Sequence, residues 1–169
     1  KVNGALNELM EPIFETIFGN GDMLTSNMVI EGYKPMEKIA NLIKFDKINP
    51  LNINNQKIQF KLAEGKLFVE PFDFTIGETK LTIAGSNSFD QTIDYIFSFA
   101  IPRKELGGAA NSAIDGLLSQ ASSKGLDLSA ADVINVDVNM VGPFTDPKIK
   151  TDLKKSASNA TQAIKDKAK

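Results

Sequence analysis

The feature that most constrains the fold is an alternation of apolar and polar residues that recurs along the chain. It is seen in IQFKL at 58–62, FDFTI at 72–76, LTI at 81–83, YIFSFAI at 95–101 and VDVNM at 136–140. Successive side chains of a strand point to opposite faces, so each run predicts a strand with one apolar and one solvated face. Such strands are typical of an antiparallel sheet that is covered on one side only.

Turn and helix signals separate these runs. Glu64 and Gly65 predict a hairpin turn, because they lie between two alternating segments. A helical spacing of apolar residues predicts a first helix over Glu11–Phe18, followed by GNG at 19–21 as a breaker and a strand that ends at Gly32.

Two further helices are expected. KPMEKIANLIKF at 34–45 places its apolar residues on one broad face with lysines opposite, which predicts a short amphipathic helix. RKELGGAANSAIDGLLSQASSKG at 103–125 predicts a helix rich in small residues that packs closely on the sheet and stops at Gly125.

These segments together predict an α+β fold: a curved, mostly antiparallel sheet with one apolar face packed by amphipathic helices. The chain has 169 residues and is 42% hydrophobic, which suits a single domain over residues 1–147. Residues 148–169 form a basic tail with only a thin apolar stripe. An isolated helix of that kind is marginal, so we expect a frayed helical tail.

Composition excludes much of catalysis. The chain has no histidine and no cysteine, which removes Ser-His-Asp triads, thiolate nucleophiles and His- or Cys-ligated metal sites. Asp90 and Asp94 are close enough in sequence to form an acid/base or metal-binding pair, and a hard cation could be held on the strand face shared by Asn135, Asp137 and Asn139. Strand alternation, however, places all of these side chains in solvent. We therefore expect no enzyme activity, no cofactor and no metal site.

The charge distribution argues against nucleic acid as a partner. The formal net charge is −2 and the isoelectric point is about 5.2, with the basic residues gathered mainly at the C-terminus. That basic end admits two interpretations, contact with anionic lipid headgroups or a solvated terminus, and we favour the solvated terminus.

The apolar face carries an unusual amount of aromatic surface. Five phenylalanines lie on alternating positions of the predicted strands: Phe60, Phe72, Phe74, Phe97 and Phe99. One interpretation is an ordinary core covered by the helices. The other is a groove open to acyl chains, for which these five residues are the candidates.

Several phrases of the sequence, taken in order, resemble the C-terminal region of AsmA-family proteins, especially the Bacteroidetes type. The phrases are GNGDMLTSNMVIEG, IQFKLAEGKLFVEPFDFTIGETKLTIAGSNSFDQTIDYIFSFAIP, GGAANSAIDGLLSQASSKG and VDVNMVGPFTDPKIKTDL. The resemblance covers nearly the whole chain. It implies that the last strand closes at Gly142 and is followed by a turn containing Asp146 and Pro147.

The resemblance also implies a setting and a function. AsmA-like proteins are large envelope proteins that are anchored in the inner membrane by an N-terminal helix, lie mostly in the periplasm and are linked to outer-membrane biogenesis. Because this chain begins at Lys1 and not at a methionine, we expect the anchor to lie upstream in a longer protein.

We expect a non-enzymatic periplasmic module that binds or transfers phospholipid or another acyl lipid along its apolar sheet face and contacts the upstream part of the same protein. The alternative is a structural or protein-interaction domain with no lipid groove of its own.

Overall fold

The computed structural model describes residues 1–112, 115 and 132–151. These residues form one eight-stranded sheet, in which every strand is antiparallel to its neighbours and the spatial order follows the chain order. The strands are β1 (Val2–Asn3), β2 (Phe18–Ile30), β3 (Leu51–Ala63), β4 (Lys66–Ile76), β5 (Thr79–Ser88), β6 (Thr92–Pro102), β7 (Val133–Pro143) and β8 (Lys148–Thr151).

The prediction of an α+β fold with several helices packed on the sheet is wrong. Of the described residues, 58% lie in strands and 19% in helices, so the fold is mainly an antiparallel sheet. The described part of the chain contains a ten-residue helix, α1 (Lys34–Ile43), a helical stretch at 108–112 and three short 3-10 turns. The helix expected at 103–125 starts later than predicted, because Arg103–Glu105 form a 3-10 turn and the α-helical residues begin at 108. Residues 113, 114 and 116–125 of that prediction lie outside the described residues.

The helix expected over Glu11–Phe18 is also wrong. Only a 3-10 turn forms there, at Phe14–Thr16, and β2 already begins at Phe18. Pro12 removes one backbone donor, and the β-branched and aromatic residues after it favour extended backbone over helix.

The GNG sequence expected to break the chain instead lies within β2, because its glycines allow close contacts between strands. A Cβ added at Gly19 would lie 2.4 Å from the carbonyl oxygen of Lys1, the residue before β1, and one at Gly21 would lie 2.7 Å from the Phe60 ring of β3. Gly19 and Gly21 are therefore packing positions of the sheet and not a boundary between elements.

Two local predictions are confirmed. Glu64 and Gly65 join β3 to β4 with φ angles of 53° and 68°, the left-handed backbone that a two-residue hairpin turn requires. Helix α1 forms where the amphipathic pattern predicted it, with Pro35 in its first turn and Lys44 as a left-handed cap at its C-terminal end.

The sheet does not end at β7. After Pro143 the chain turns, the Asp146 backbone N–H donates to the Pro143 carbonyl at 3.1 Å, and β8 returns alongside residues Val138 to Val141. The phrase that the sequence analysis interpreted as the end of the sheet is therefore the turn of a hairpin. The first four residues of the predicted tail form β8, and residues 152–169 lie outside the described residues.

The core lies between α1 and the apolar face of the sheet. Met36, Ile39 and Ala40 of α1 are buried against it, together with fully buried strand residues such as Leu81 and Val138. Each large apolar side chain buried in this way contributes about 1.5–3 kcal/mol relative to exposure. Helix α1 is shorter than the strands, so it covers only part of that face.

Candidate functional site

An apolar cleft of about 370 Å³ lies on the same face of the sheet, beside α1. Seventeen of the described residues line it, and they come from strands β2 to β7, from α1 and its N-cap, and from the turn before β8. The wall runs from fully buried Leu51 to Met23, which is 44% exposed, and Phe144, which is 52% exposed. The exposed lining residues mark the opening, so the cleft is accessible from solvent.

Two irregularities keep apolar side chains on the cleft side of the sheet. In β4 the register shifts between Val69 and Phe72, so both residues line the cleft although they are three positions apart. In β2, Met23 and Met28 both line the cleft although they are five positions apart, because the β2–β3 pairing is interrupted opposite Asn55, which has a φ of 52°. Strict alternation would have turned one member of each pair outward.

A glycine makes room for the aromatic floor of the cleft. Gly85 of β5 pairs with Tyr95 of β6, and a Cβ at Gly85 would lie 2.5 Å from Tyr95 Cδ1 and 2.4 Å from the Asp94 carbonyl oxygen. No side chain can occupy such positions, so the Tyr95 ring lies over Gly85 and forms part of the cleft surface.

One wall of the cleft joins two elements that are far apart in sequence. The Tyr33 ring, at the start of α1, stacks on Phe144 with centroids 4.9 Å apart, and its hydroxyl donates to the Phe144 carbonyl oxygen at 2.6 Å. Lys38 and Asp146 form an exposed ion pair at 2.8 Å between the same two elements. These contacts hold α1 against the β7–β8 turn and fix the position of that wall.

The cleft is almost free of polar groups. None of the described residues that line it is charged, and among them only Tyr33, Asn87 and Tyr95 carry side-chain oxygen or nitrogen atoms. Burial raises the pKa of Tyr95 to about 12 and raises that of Tyr33 above its ordinary value. Chemically, the lining offers apolar contact and a few neutral hydrogen-bonding groups.

The five phenylalanines predicted for a groove are divided among three places. Phe72 and Phe97 line the cleft. Phe74 and Phe99 are 7% and 2% exposed, belong to the buried core and do not line the cleft. Phe60 is half-buried over Gly21, outside the cleft, beside a second, more polar depression.

Sequence reasoning missed several cleft residues. Tyr95 lies two positions before Phe97 in β6, so the sequence predicted that both side chains are on the same face of the strand. It did not predict the pairing with Gly85 that leaves space for the Tyr95 ring. Tyr33 and Phe144 lie outside regular alternating strands, and only the packing of α1 against the β7–β8 turn brings them together.

The carboxylates lie away from the cleft. Asp90 accepts hydrogen bonds from the Thr92 backbone N–H at 2.9 Å and hydroxyl at 2.7 Å, and these bonds lower its pKa, as expected of a turn residue. Asp94 and Asp137 alternate with the inward-facing residues of β6 and β7. Within the described residues, no three His, Cys, Asp or Glu side chains are grouped to hold a metal ion.

Among the described residues, no helix is both long and apolar enough to cross a membrane. No protein-family model, curated protein or solved structure matches the chain.

Proposed function

We propose that this chain is a non-enzymatic lipid-binding module of an AsmA-like envelope protein, located in the periplasm and supporting outer-membrane biogenesis. The family, the location and the anchor in the inner membrane rest on the resemblance of the sequence phrases. Lipid binding rests on the open apolar cleft, which is the single observation that favours it most.

The cleft has the size and surface of a ligand site. Its volume of about 370 Å³ lies near the lower end of the roughly 300–1,000 Å³ of small-molecule sites, so it suits one acyl chain better than two. Transfer of a methylene group from water to such a surface contributes about 0.8 kcal/mol, so the hydrocarbon alone provides the driving force.

The same surface is unsuited to catalysis. A reaction needs a nucleophile, an acid or base, or an electrophile aimed at the substrate, and no lining residue other than the two tyrosines carries an ionisable group. Both tyrosines have raised pKa values, so at neutral pH their hydroxyls are neutral hydrogen-bonding groups. Binding or transfer without chemistry is the function that these residues support best.

A probe experiment tests this function. A fluorescent polyene fatty alcohol is titrated into the full chain and into two variants, Val69→Phe and Val141→Phe. Val69 lines the cleft, whereas Val141 is 44% exposed on the opposite face of the sheet, so the two variants make the same substitution inside and outside the cleft. Val69→Phe fills the cleft and is expected to weaken probe binding, while Val141→Phe leaves it unchanged.

Native mass spectrometry of the gently purified full chain supplies the second readout. An acyl-lipid adduct present in the unmodified protein and lost in Val69→Phe is the expected result. Equal probe affinity in all three proteins, with no adduct in any of them, would exclude the cleft as a lipid site.

A second candidate function, a protein-interaction module, is favoured by the free edge of β2. This strand has thirteen residues, but β1 pairs with only Phe18 and Gly19 of it. No described strand covers the rest of the edge, and β2 contains neither the lysine nor the proline that commonly protect exposed edges. An extended segment of the longer envelope protein would pair there.

Hydrogen exchange tests this candidate. The backbone amides of β2 that point away from β3 should exchange fast in the isolated chain and become protected in the longer protein. Equal exchange in both would contradict docking at this edge.

A further inference from the structure

Two neutral polar side chains at the cleft are open to a ligand. The Asn87 side chain is exposed, and the Tyr95 hydroxyl is not among the buried, unpaired polar atoms of the described residues, so both groups are accessible to solvent. The third polar residue, Tyr33, already donates its hydroxyl to the Phe144 carbonyl oxygen. A ligand head group that displaces water from these two side chains can replace it as their hydrogen-bond partner.

These two groups come from neighbouring positions on the cleft side of the sheet. The Tyr95 ring lies over Gly85, and Asn87 is the next residue of β5 on the same face. Positions two apart on a strand are separated by about 7 Å, which is within reach of a tyrosine and an asparagine side chain. Asn87 is exposed, so this polar pair lies where the cleft meets solvent.

We propose that the cleft takes a single-chain amphiphile with an uncharged head group, such as a monoacylglycerol or a long-chain alcohol. Its hydrocarbon chain lies along the apolar lining, and its hydroxyl or carbonyl oxygen hydrogen-bonds to Tyr95 and Asn87. This inference rests on the proposed function and specifies the ligand class for the same cleft.

The absence of charge in the lining is the reason for an uncharged head group. A charged group that loses water costs free energy unless a counter-charge or several hydrogen bonds replace the solvent, and no residue lining the cleft provides a charge. A hydroxyl or ester oxygen needs only the neutral donors and acceptors that Asn87 and Tyr95 provide. The volume of about 370 Å³ independently favours one hydrocarbon chain over a diacyl lipid.

Competition among head groups tests the inference. Monolaurin, laurate and laurylamine carry similar hydrocarbon chains with a neutral, a negative and a positive head group at pH 7. Each is titrated, below its micelle concentration, against the fluorescent fatty alcohol bound to the full chain. The dissociation constant of monolaurin should be lower than those of the two charged compounds by roughly tenfold or more, and a tenfold difference corresponds to about 1.4 kcal/mol of binding free energy.

Two variants assign that preference to the polar pair. Tyr95→Phe and Asn87→Leu should each reduce the ratio of monolaurin affinity to laurate affinity. Asn139→Leu is the matched control, because Asn139 lies on the opposite face of β7 and does not line the cleft. The readout is the ratio of monolaurin affinity to laurate affinity. A substitution that only adds apolar contact raises both affinities equally and leaves this ratio unchanged.

The outcomes separate the inference from the proposed function. If the probe binds but laurate or laurylamine competes as well as monolaurin, or if the ratio is unchanged in both variants, the uncharged-head-group inference is overturned and lipid binding stands. If neither the probe nor any competitor binds, the lipid-binding function itself fails.

Discussion

Replacement of Gly85 by alanine is the sharpest single perturbation of the cleft. The new Cβ would lie 2.4 Å from the Asp94 carbonyl oxygen and 2.5 Å from Tyr95 Cδ1, and both distances are far below van der Waals contact. One of these atoms belongs to the backbone of β6, so rotation of the tyrosine alone cannot relieve the overlap. The pairing of Gly85 with Tyr95 has to shift.

The expected cost follows from the cost of overpacking a core, which is typically about 1–3 kcal/mol. An unfolding entropy of roughly 2.1 cal/mol/K per residue over 169 residues gives about 0.35 kcal/mol/K. A loss of about 2 kcal/mol therefore lowers Tm by about 6 °C. Because the Tyr95 ring forms part of the cleft surface, the affinity for the fluorescent fatty alcohol should fall as well.

Calorimetry and urea unfolding of Gly85→Ala measure the change in stability. Gly107→Ala is the matched control, because no atom of the described residues other than its chain neighbours lies within 4 Å of the added Cβ and its φ is not left-handed. That control should stay within about 0.5 kcal/mol of the unmodified protein. The same Tm for Gly85→Ala and Gly107→Ala would refute the close contact between Gly85 and Tyr95.

Three further predictions concern other parts of the sheet. Gly77→Ala should destabilise the fold by about 1–2 kcal/mol because its backbone is left-handed, and by more because the new Cβ crowds the Lys47–Glu105 ion pair. Gly32→Ala is the control, because it introduces the backbone strain without a close contact. Equal losses of stability in urea unfolding would contradict the crowding. Because burial raises the pKa of Tyr95 to about 12, its neutral phenol should contribute its full stabilisation below pH 10, and this stabilisation should be lost as pH rises towards 12. An absorbance titration in which both tyrosines ionise at pH 10 would contradict this. Hydrogen bonds from Lys80 and Thr82 lower the pKa of Asp73, so the ionised carboxylate should stabilise the fold above pH 3.8, and this stabilisation should be lost as pH falls through the lowered pKa. Identical acid unfolding of Asp73→Asn and the unmodified protein would contradict this.

Local patterns of the sequence predicted much of the sheet. Alternation identified the inward faces of β5 to β7, where Leu81, Phe97 and Val138 are buried, because a two-residue period is a property of each strand alone. The Glu64–Gly65 turn and α1 were equally local. The fold class was wrong because the sequence gives no direct measure of how far strand pairing extends. The helical spacing before Phe18 yields only a 3-10 turn, and strand pairing begins at Phe18 itself.

The cleft was less accessible to sequence reasoning. Five phenylalanines on alternating positions looked equivalent, but Phe99 is buried in the core while Phe72 lines the cleft, and no local pattern distinguishes them. The register shift before Phe72 and the space over Gly85 depend on contacts between strands. The polar pair at the opening, Asn87 and Tyr95, is likewise defined only once β5 and β6 are paired.

The central claim is that the apolar cleft, and not the core or another apolar surface, receives an acyl chain. A fatty alcohol with a photoreactive diazirine in its chain, irradiated with the full protein and mapped by peptide mass spectrometry, tests this most directly. The account predicts saturable labelling of Met23, Phe72 and Tyr95, with Phe74 and Phe99 unlabelled. Labelling confined to exposed apolar residues outside the cleft, such as Leu9 at 77% exposure, or labelling that does not saturate, would contradict it.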